Sequence, residues 1–406
     1  MGKPTSEQTP VAQAPGSPTQ RLVSLDAYRG FIMLIMASGG FGFAQINRQF
    51  PESRFWGFLG YEFDHVPWSG CAFWDLIQPS FMFMVGVALP YSLASRLNQG
   101  QSYLRVFGHT IYRSIILILL GVFLSSNWSR QTDFTFVNVL TQIGLGYTFV
   151  FLLAGRGVAV QLAAALLILV GYWAVFVVHP LPPPGFDYRT VIDPKMAGED
   201  LQHLYQGFFA HWNKNANFAA DVDVVLLNWF PRPEPFHFNR GGYETLNFIP
   251  SMATMIFGLM AGEWLRTSRS SSAKLRGLIV TGALCLAIGA LADQYVCPSV
   301  KRIWTPSWAV FSTGWTLWML AAFYWIIDIR GWRAWAFPFV VVGMNSIAMY
   351  TMAQLLTGWI KNTLKIHIGQ HIFDGTYGPI LASVSALAVL WLACYWMWRR
   401  KIFLRI

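Results

Sequence analysis

His65 and Asp75 stand ten residues apart in "HVPWSGCAFWDLIQPSFMFMVG", where the aspartate lies about one turn inside a long apolar run. An imidazole titrates near neutrality, so it can take and return a proton. A neighbouring carboxylate can orient the ring and favour its charged form. A carboxylate in a membrane segment costs roughly 2.5–3.5 kcal/mol on insertion scales, which makes Asp75 a functional candidate. The plainer reading is a helix cap at Asp75 and an interfacial polar group at His65. Spacing alone leaves both open.

Three further stretches carry polar groups beside apolar runs. "VKRIWTPSW" places Lys301 and Arg302 where they could hold Asp75, Asp293 or an anionic substrate; a plain interfacial anchor is the alternative. "RLVSLDAYRG" offers Arg21 and Arg29, which suit a phosphorylated ligand, although Ser24 as cap and Asp26 in a first turn equally describe a helix start. "PFVVVGMNSIAMY" is expected to put Asn345 and Ser346 mid-membrane on one helix, as helix–helix glue or as a polar pore lining.

The elements that position these residues follow from composition. Of 406 residues, 54% are hydrophobic and 12% charged, about half the charge of a soluble domain. The surplus apolar surface must face lipid. A net charge of +10 would suit nucleic acid, but the basic residues sit in short clusters between apolar segments, as membrane-surface loops do. Ten apolar segments lie near 30–46, 72–95, 114–127, 136–155, 158–178, 247–265, 277–293, 307–327, 337–358 and 378–398, each measured against the roughly 20 residues a bilayer requires. The third is short. The fourth carries Asn138, Thr141 and Gln142 and is expected to face protein. The fold class is therefore all-α: a polytopic membrane helix bundle of about ten transmembrane helices.

Ten spans put both termini on one side. That side collects 17 of the 29 Lys and Arg residues, so the positive-inside rule makes it cytoplasmic and places His65 in the first outward loop. Residues 1–20, rich in Pro, Ser, Thr and Gln, read as a disordered cytoplasmic tail, and 21–406 as the transmembrane domain. The one long extracytoplasmic loop, 179–246, is rich in aromatics and reads as an ordered cap. Cys71 and Cys297 fall near the same face, which leaves a disulfide open, and no metal site is expected: His367 and His371 are four apart, but Gly369 between them weakens a helix.

"RLVSLDAYRG", "HVPWSGCAFWDLIQPSFMFMVG", "NFIPSMATMIFGLMAGEWL", "KRIWTPSWAVFSTGW" and "PFVVVGMNSIAMY", in this order over roughly residues 20–355, resemble the heparan-α-glucosaminide N-acetyltransferase family. The chain is similar in particular to the family's shorter bacterial members, which lack the luminal domain of the animal proteins. The resemblance implies transfer of an acetyl group from cytosolic acetyl-CoA across the membrane to an amino sugar. It implies a bacterial inner membrane location and a homodimer, with lipid and the amino-sugar acceptor as partners and no nucleic acid. His65 matches the family's active histidine and Asp75 the acid after it. His65 is then the base or an acetyl carrier. Ser38, in "IMASGGFGF", stands where the family has an asparagine near the acetyl group, and it joins Asn345 as a cofactor-binding candidate. Arg29, Arg105, Arg113, Arg276 and Arg333 are candidates for the CoA phosphates. Lys301 or Asn345 is a candidate for stabilising the thioester oxyanion. Trp68, Lys301, Arg302 and Trp304 are candidates for acceptor contact. The competing readings are an amino-sugar or N-acetyl-sugar transporter, an O-acyltransferase of envelope glycans, and a catalytically silent assembly protein.

Overall fold

The computed structural model describes residues 22–404, among which every regular element is helical. The 1–20 tail and Arg21 lie outside the described residues. The principal helices are α1 (Val23–Ala37), α2 (Ile77–Asn98), α3 (Tyr103–Ser125), α4 (Val139–Leu152), α5 (Val158–Val178), α6 (Phe218–Leu227), α7 (Phe248–Arg266), α8 (Ser271–Tyr295), α9 (Pro306–Phe323), α10 (Phe337–Gly343), α11 (Ser346–Ile368) and α12 (Gly378–Arg399). Among the described residues seven helices are long and apolar enough to cross a membrane, and nine if each of two bent pairs is one span, against the ten expected; the remaining segment, 136–155, forms only the shorter helix α4. The protein is a polytopic membrane bundle. α1 starts and α12 ends on one face, the terminal face. His65 and the 179–246 segment lie on the other, the loop face.

Small residues bring the central helices together. A Cβ on Gly86 of α2 would lie 1.9 Å from the Met255 carbonyl oxygen of α7, and one on Gly258 of α7 would lie 2.0 Å from that of Phe83. Lipid is as apolar as leucine, so such close packing, with polar bonds between helices, holds a bundle where hydrophobic burial cannot. Tyr28 supplies one such bond, donating to Ser80 at 3.0 Å.

Several boundaries differ from the sequence expectation. The first helix begins at Val23, not near 30, and ends at Ala37; Gly39, Gly40 and Gly42 take positive φ there, and the chain bends by 41° into Phe43–Gln49, which reaches past the expected 46. α3 begins eleven residues before 114, because Ser102 caps it by accepting the Arg105 N–H. α4 has only 14 residues, about 21 Å at the helical rise. Asn138 starts it by accepting the Leu140 and Thr141 N–H groups, both at 3.1 Å. Thr141 and Gln142 are fully buried, as expected of a protein-facing helix.

The expected continuous helix at 337–358 is instead broken between α10 and α11, with a 73° bend. Asn345, with φ −128°, sits at that break near the terminal face, not mid-membrane. Its Nδ2 donates to the Ile402 carbonyl and its Oδ1 accepts the Leu404 N–H, at 3.0 and 3.1 Å. The amide thus fastens the chain beyond α12 to the gap in the span.

Segment 179–246 packs on the loop face through a second apolar cluster of Trp68, Tyr172, Phe176, Trp212, Ala219, Cys297, Val300 and Ile303. A buried Lys214–Asp200 pair at 2.6 Å holds it internally. All four cysteines are free thiols, so Cys71 and Cys297 are not bridged.

Candidate active site

The loop-face end of α2 opens with an irregular turn, Phe73–Leu76, that carries Asp75. The Asp75 side chain is 1% exposed, yet every side of it is occupied. Its Oδ2 accepts the Val66 and Ala72 N–H groups at 3.2 and 3.3 Å, which folds the 66–72 loop back over the helix end. Its Oδ1 lies 2.6 Å from His65 Nδ1 and 3.3 Å from Lys301 Nζ. A carboxylate only accepts, so Nδ1 carries the ring proton and Nε2 is left as the acceptor nitrogen. The capping role and the chemical role therefore fall on different oxygens of one side chain.

Lys301 arrives from the turn between α8 and α9. The Trp304 N–H donates to the Lys301 carbonyl at 3.0 Å and the Val300 N–H to Thr305 Oγ1 at 2.9 Å. Trp304 takes φ 46°, an uncommon conformation for a bulky residue, held by its complete burial. Lys301 Nζ also stands 3.2 Å from His65 Nδ1. Burial lowers the His65 pKa from its ordinary value, and the Lys301 and Arg302 charges push it the same way against the Asp75 hydrogen bond. His65 is thus held neutral near pH 7, the form a base requires. Cys71, close by, is no competing nucleophile: burial pushes its thiol up to about 12.

His65 lines a chamber of about 300 Å³ on the loop face, with Met36, Trp74, Gln78, Tyr243, Lys301 and Gln354 among its walls. A second chamber, of about 100 Å³, opens between α1, α2, α3, α4 and α11 nearer the terminal face, lined by Arg29, Met33, Ser92, Arg113, Tyr147 and Ser346 among others. Phe81, Val139 and Tyr350 line both. Two chambers, one with a histidine and one with two guanidinium groups, therefore share three wall residues.

The structure brings together His65, Asp75 and Lys301 at one chamber, and Arg29 and Arg113 at the other. Arg29 is bonded to Asp26 at 2.6 Å and to the Gly343 carbonyl at 3.0 Å. Arg113 lies over the Tyr147 ring. The remaining sequence candidates line neither chamber. Arg105, Arg276 and Arg333 have exposed side chains, the first two in the opening turns of α3 and α8 and the third in the turn before α10. Ser38 is buried and donates to the Ile35 carbonyl at 2.6 Å, spent on ending α1. Asn345 is consumed by the C-terminal backbone. Trp68 and Trp304 are buried, with indole N–H groups given to the Trp212 carbonyl and to Thr254 Oγ1; no face is left for a sugar. Arg302 donates to the Val66 and Gly241 carbonyls and covers the Tyr243 ring, so it clamps the His65 loop to the 241–243 turn.

Sequence reasoning missed Gln78, Tyr243, Tyr350 and Gln354 at the chambers, and a neighbouring cleft nearer the terminal face where Arg96 Nη2 meets His109 Nε2 at 3.2 Å. Gln78 and Gln354, amides inside apolar runs, were the signal available. Tyr243 had none beyond being an aromatic loop residue.

No family model matches the chain. It is 23% identical to the heparan-alpha-glucosaminide N-acetyltransferase of Homo sapiens, over 95% of this chain and 60% of that protein. It is equally 23% identical to the Mus musculus protein of the same name, over 96% of this chain and 61% of that one. The chain thus spans about 60% of the length of the curated relatives it matches. It is a multi-pass membrane protein with distant homology, along nearly all of its own length, to the heparan-alpha-glucosaminide N-acetyltransferase family.

Proposed function

We propose that this protein is a transmembrane acetyltransferase that takes an acetyl group from acetyl-CoA at the terminal face and delivers it to the amine of an amino sugar at the loop face. The observation that carries this reading is the meeting of two chambers at Phe81, Val139 and Tyr350, with Arg29 and Arg113 in one and His65 in the other. A donor with a phosphorylated head and a long thin arm suits an inner chamber with two guanidinium groups that adjoins the chamber of a base. The excess of Lys and Arg on the terminal face supports a cytoplasmic assignment for that face and insertion in a bacterial inner membrane.

In this reading Arg29 and Arg113 bind phosphate or pyrophosphate oxygens. His65 Nε2 takes a proton from the acceptor's ammonium group, leaving a nucleophilic amine. The amine forms the C–N bond at the thioester carbonyl, the C–S bond breaks, the imidazolium returns its proton to the departing thiolate, and the surplus proton left on the new amide nitrogen passes to water. Asp75 holds the ring with Nδ1–H toward itself and stabilises the imidazolium. Lys301, paired with Asp75, keeps the resting imidazole neutral. Gln78, Tyr243 and Gln354 are the polar walls open to acceptor hydroxyls.

The test is acetyl transfer by the purified protein in proteoliposomes, with labelled acetyl-CoA and a panel of amino sugars on opposite sides and products read by mass spectrometry. Labelled N-acetyl sugar with wild type, and none with folded His65→Ala, is the expected result. Movement of unmodified sugar across the vesicle without acetylation would replace this reading with a carrier.

A further inference from the structure

Behind the Tyr243 wall lies a second buried cluster that the transfer chemistry does not use. Asp223 of α6 is 0% exposed and Glu244, just before α7, is 1% exposed, and their carboxyl groups are within hydrogen-bond reach of each other. Asp223 Oδ2 accepts the Thr245 N–H at 2.9 Å. Its Oδ1 and both Glu244 oxygens have no well-aligned donor, although the Thr245 hydroxyl also lies against Asp223. Gln142 of α4 faces the same turn: Nε2 donates to the Thr245 carbonyl at 3.2 Å, while Oε1 also lacks a donor.

The surrounding charges do not neutralise the pair. Arg232, which follows α6, is within electrostatic range of Asp223, but its guanidinium donates to the Leu227 and Phe134 carbonyls and lies 4.0 Å from Asp133. Asp221 of α6 adds like charge against Glu244 and is itself paired with His179. Tyr172 of α5 gives its hydroxyl to the Ile303 carbonyl at 3.1 Å. Two ionised carboxylates side by side in a dry site repel strongly, and one proton between them turns repulsion into a hydrogen bond.

We propose that Glu244 and Asp223 share one proton, and that this proton is a latch fastening cap helix α6 to the loop-face end of α7 and so fixing Tyr243 as the chamber wall near His65. Tyr243 adjoins Glu244, and its ring centroid lies 6.4 Å from that of His65. Both carboxyls are positioning residues and touch no substrate. Burial, and then the neighbouring Asp223 charge, raises the Glu244 pKa well above the carboxylate range; burial raises that of Asp223. A raised acid stabilises the fold fully below its unfolded value and loses that contribution as pH rises through the folded one. The latch therefore holds in acid and opens in alkali. Its consequence for acceptor binding rests on the function proposed above; the latch itself does not.

The test is thermal unfolding of the full chain in nanodiscs, followed by tryptophan fluorescence from about pH 5 to about pH 9. Wild type, Glu244→Gln and Asp223→Asn are compared, each with EDTA and with added calcium chloride. The expected result is a wild-type midpoint that falls by several degrees as pH rises, and a flatter profile in Glu244→Gln, whose amide donates to Asp223 at every pH. Where turnover is measured, the wild-type KM for the acceptor rises over the same range and that of Glu244→Gln does not, with kcat alike in both. Parallel profiles in wild type and both variants overturn the latch. So does a wild-type midpoint raised by calcium and lowered by EDTA when neither variant responds, since a cation then joins the carboxylates. So does failure of both isosteres to fold, because a neutral amide preserves the protonated geometry. No substrate enters the unfolding measurement, so the latch stands or falls on the pH profiles even in the absence of acetyl transfer.

Discussion

Replacing Asp75 with asparagine removes one charge and almost no volume. The two backbone N–H groups of Val66 and Ala72 still need an acceptor, at 3.2 and 3.3 Å from the present Oδ2. The new amide satisfies them with its oxygen, which turns its NH2 toward His65 Nδ1. The ring must then accept at Nδ1 and carry its proton on Nε2, so the nitrogen left to the chamber can no longer act as a base. The loss of charge adds to this. Centres of a carboxylate and an imidazolium about 4 Å apart attract by about 4 kcal/mol at an effective dielectric constant near 20. That corresponds to roughly a thousandfold in rate. Lys301, 3.2 Å from Nδ1, then opposes the imidazolium without a counter-charge, which makes a thousandfold a lower bound. The assay is kcat for N-acetyl sugar formation in Asp75→Asn, beside a thermal midpoint that reports folding. A folded variant within about tenfold of wild-type kcat would refute the tautomer argument, because tenfold is only about 1.4 kcal/mol.

Lys301→Met removes a cation that holds the His65 pKa down. The base must be neutral, so activity is lost as pH falls through that pKa; the acidic limb of kcat/KM against pH moves upward in the variant, and an unmoved limb excludes the electrostatic role. Arg113→Leu raises KM for acetyl-CoA by about tenfold with kcat little changed, the signature of lost uniform binding. An unchanged KM places the phosphates elsewhere. Gly258→Ala forces a Cβ to within 2.0 Å of the Phe83 carbonyl oxygen. It costs about 1–3 kcal/mol, read as a lowered thermal midpoint, and combined with Gly86→Ala at the same crossing it costs less than the sum, because one separation of the helices relieves both clashes.

Membrane class and the pairing of His65 with Asp75 were legible along the chain. Each depends on local chemistry: charge depletion says what solvent the surface meets, and an acid inside an apolar run marks itself by its cost. Lys301 was legible for the same reason, as a cation where cations are unfavourable. The errors share a different cause. Ser38 read as a cofactor-binding candidate and Asn345 as a mid-membrane one because nothing local shows that the first hydroxyl is spent on ending α1 and that the second amide is bonded to Ile402 and Leu404, nearly sixty residues on. The five arginines were equivalent in sequence; only the rotation of α1 and α3 about their axes turns Arg29 and Arg113 inward and leaves Arg105 exposed. Trp68 and Trp304 carried the side chains that stack on sugars, yet packing against the cap and α7 buried them. Tyr243, and the acid pair behind it, exist as features only once residues 223, 244 and 142 meet. Composition along the chain determined that this protein lives in a membrane and which groups are costly there. Long-range packing alone decided which of those groups face a chamber, because burial and partners are properties of neighbours in space.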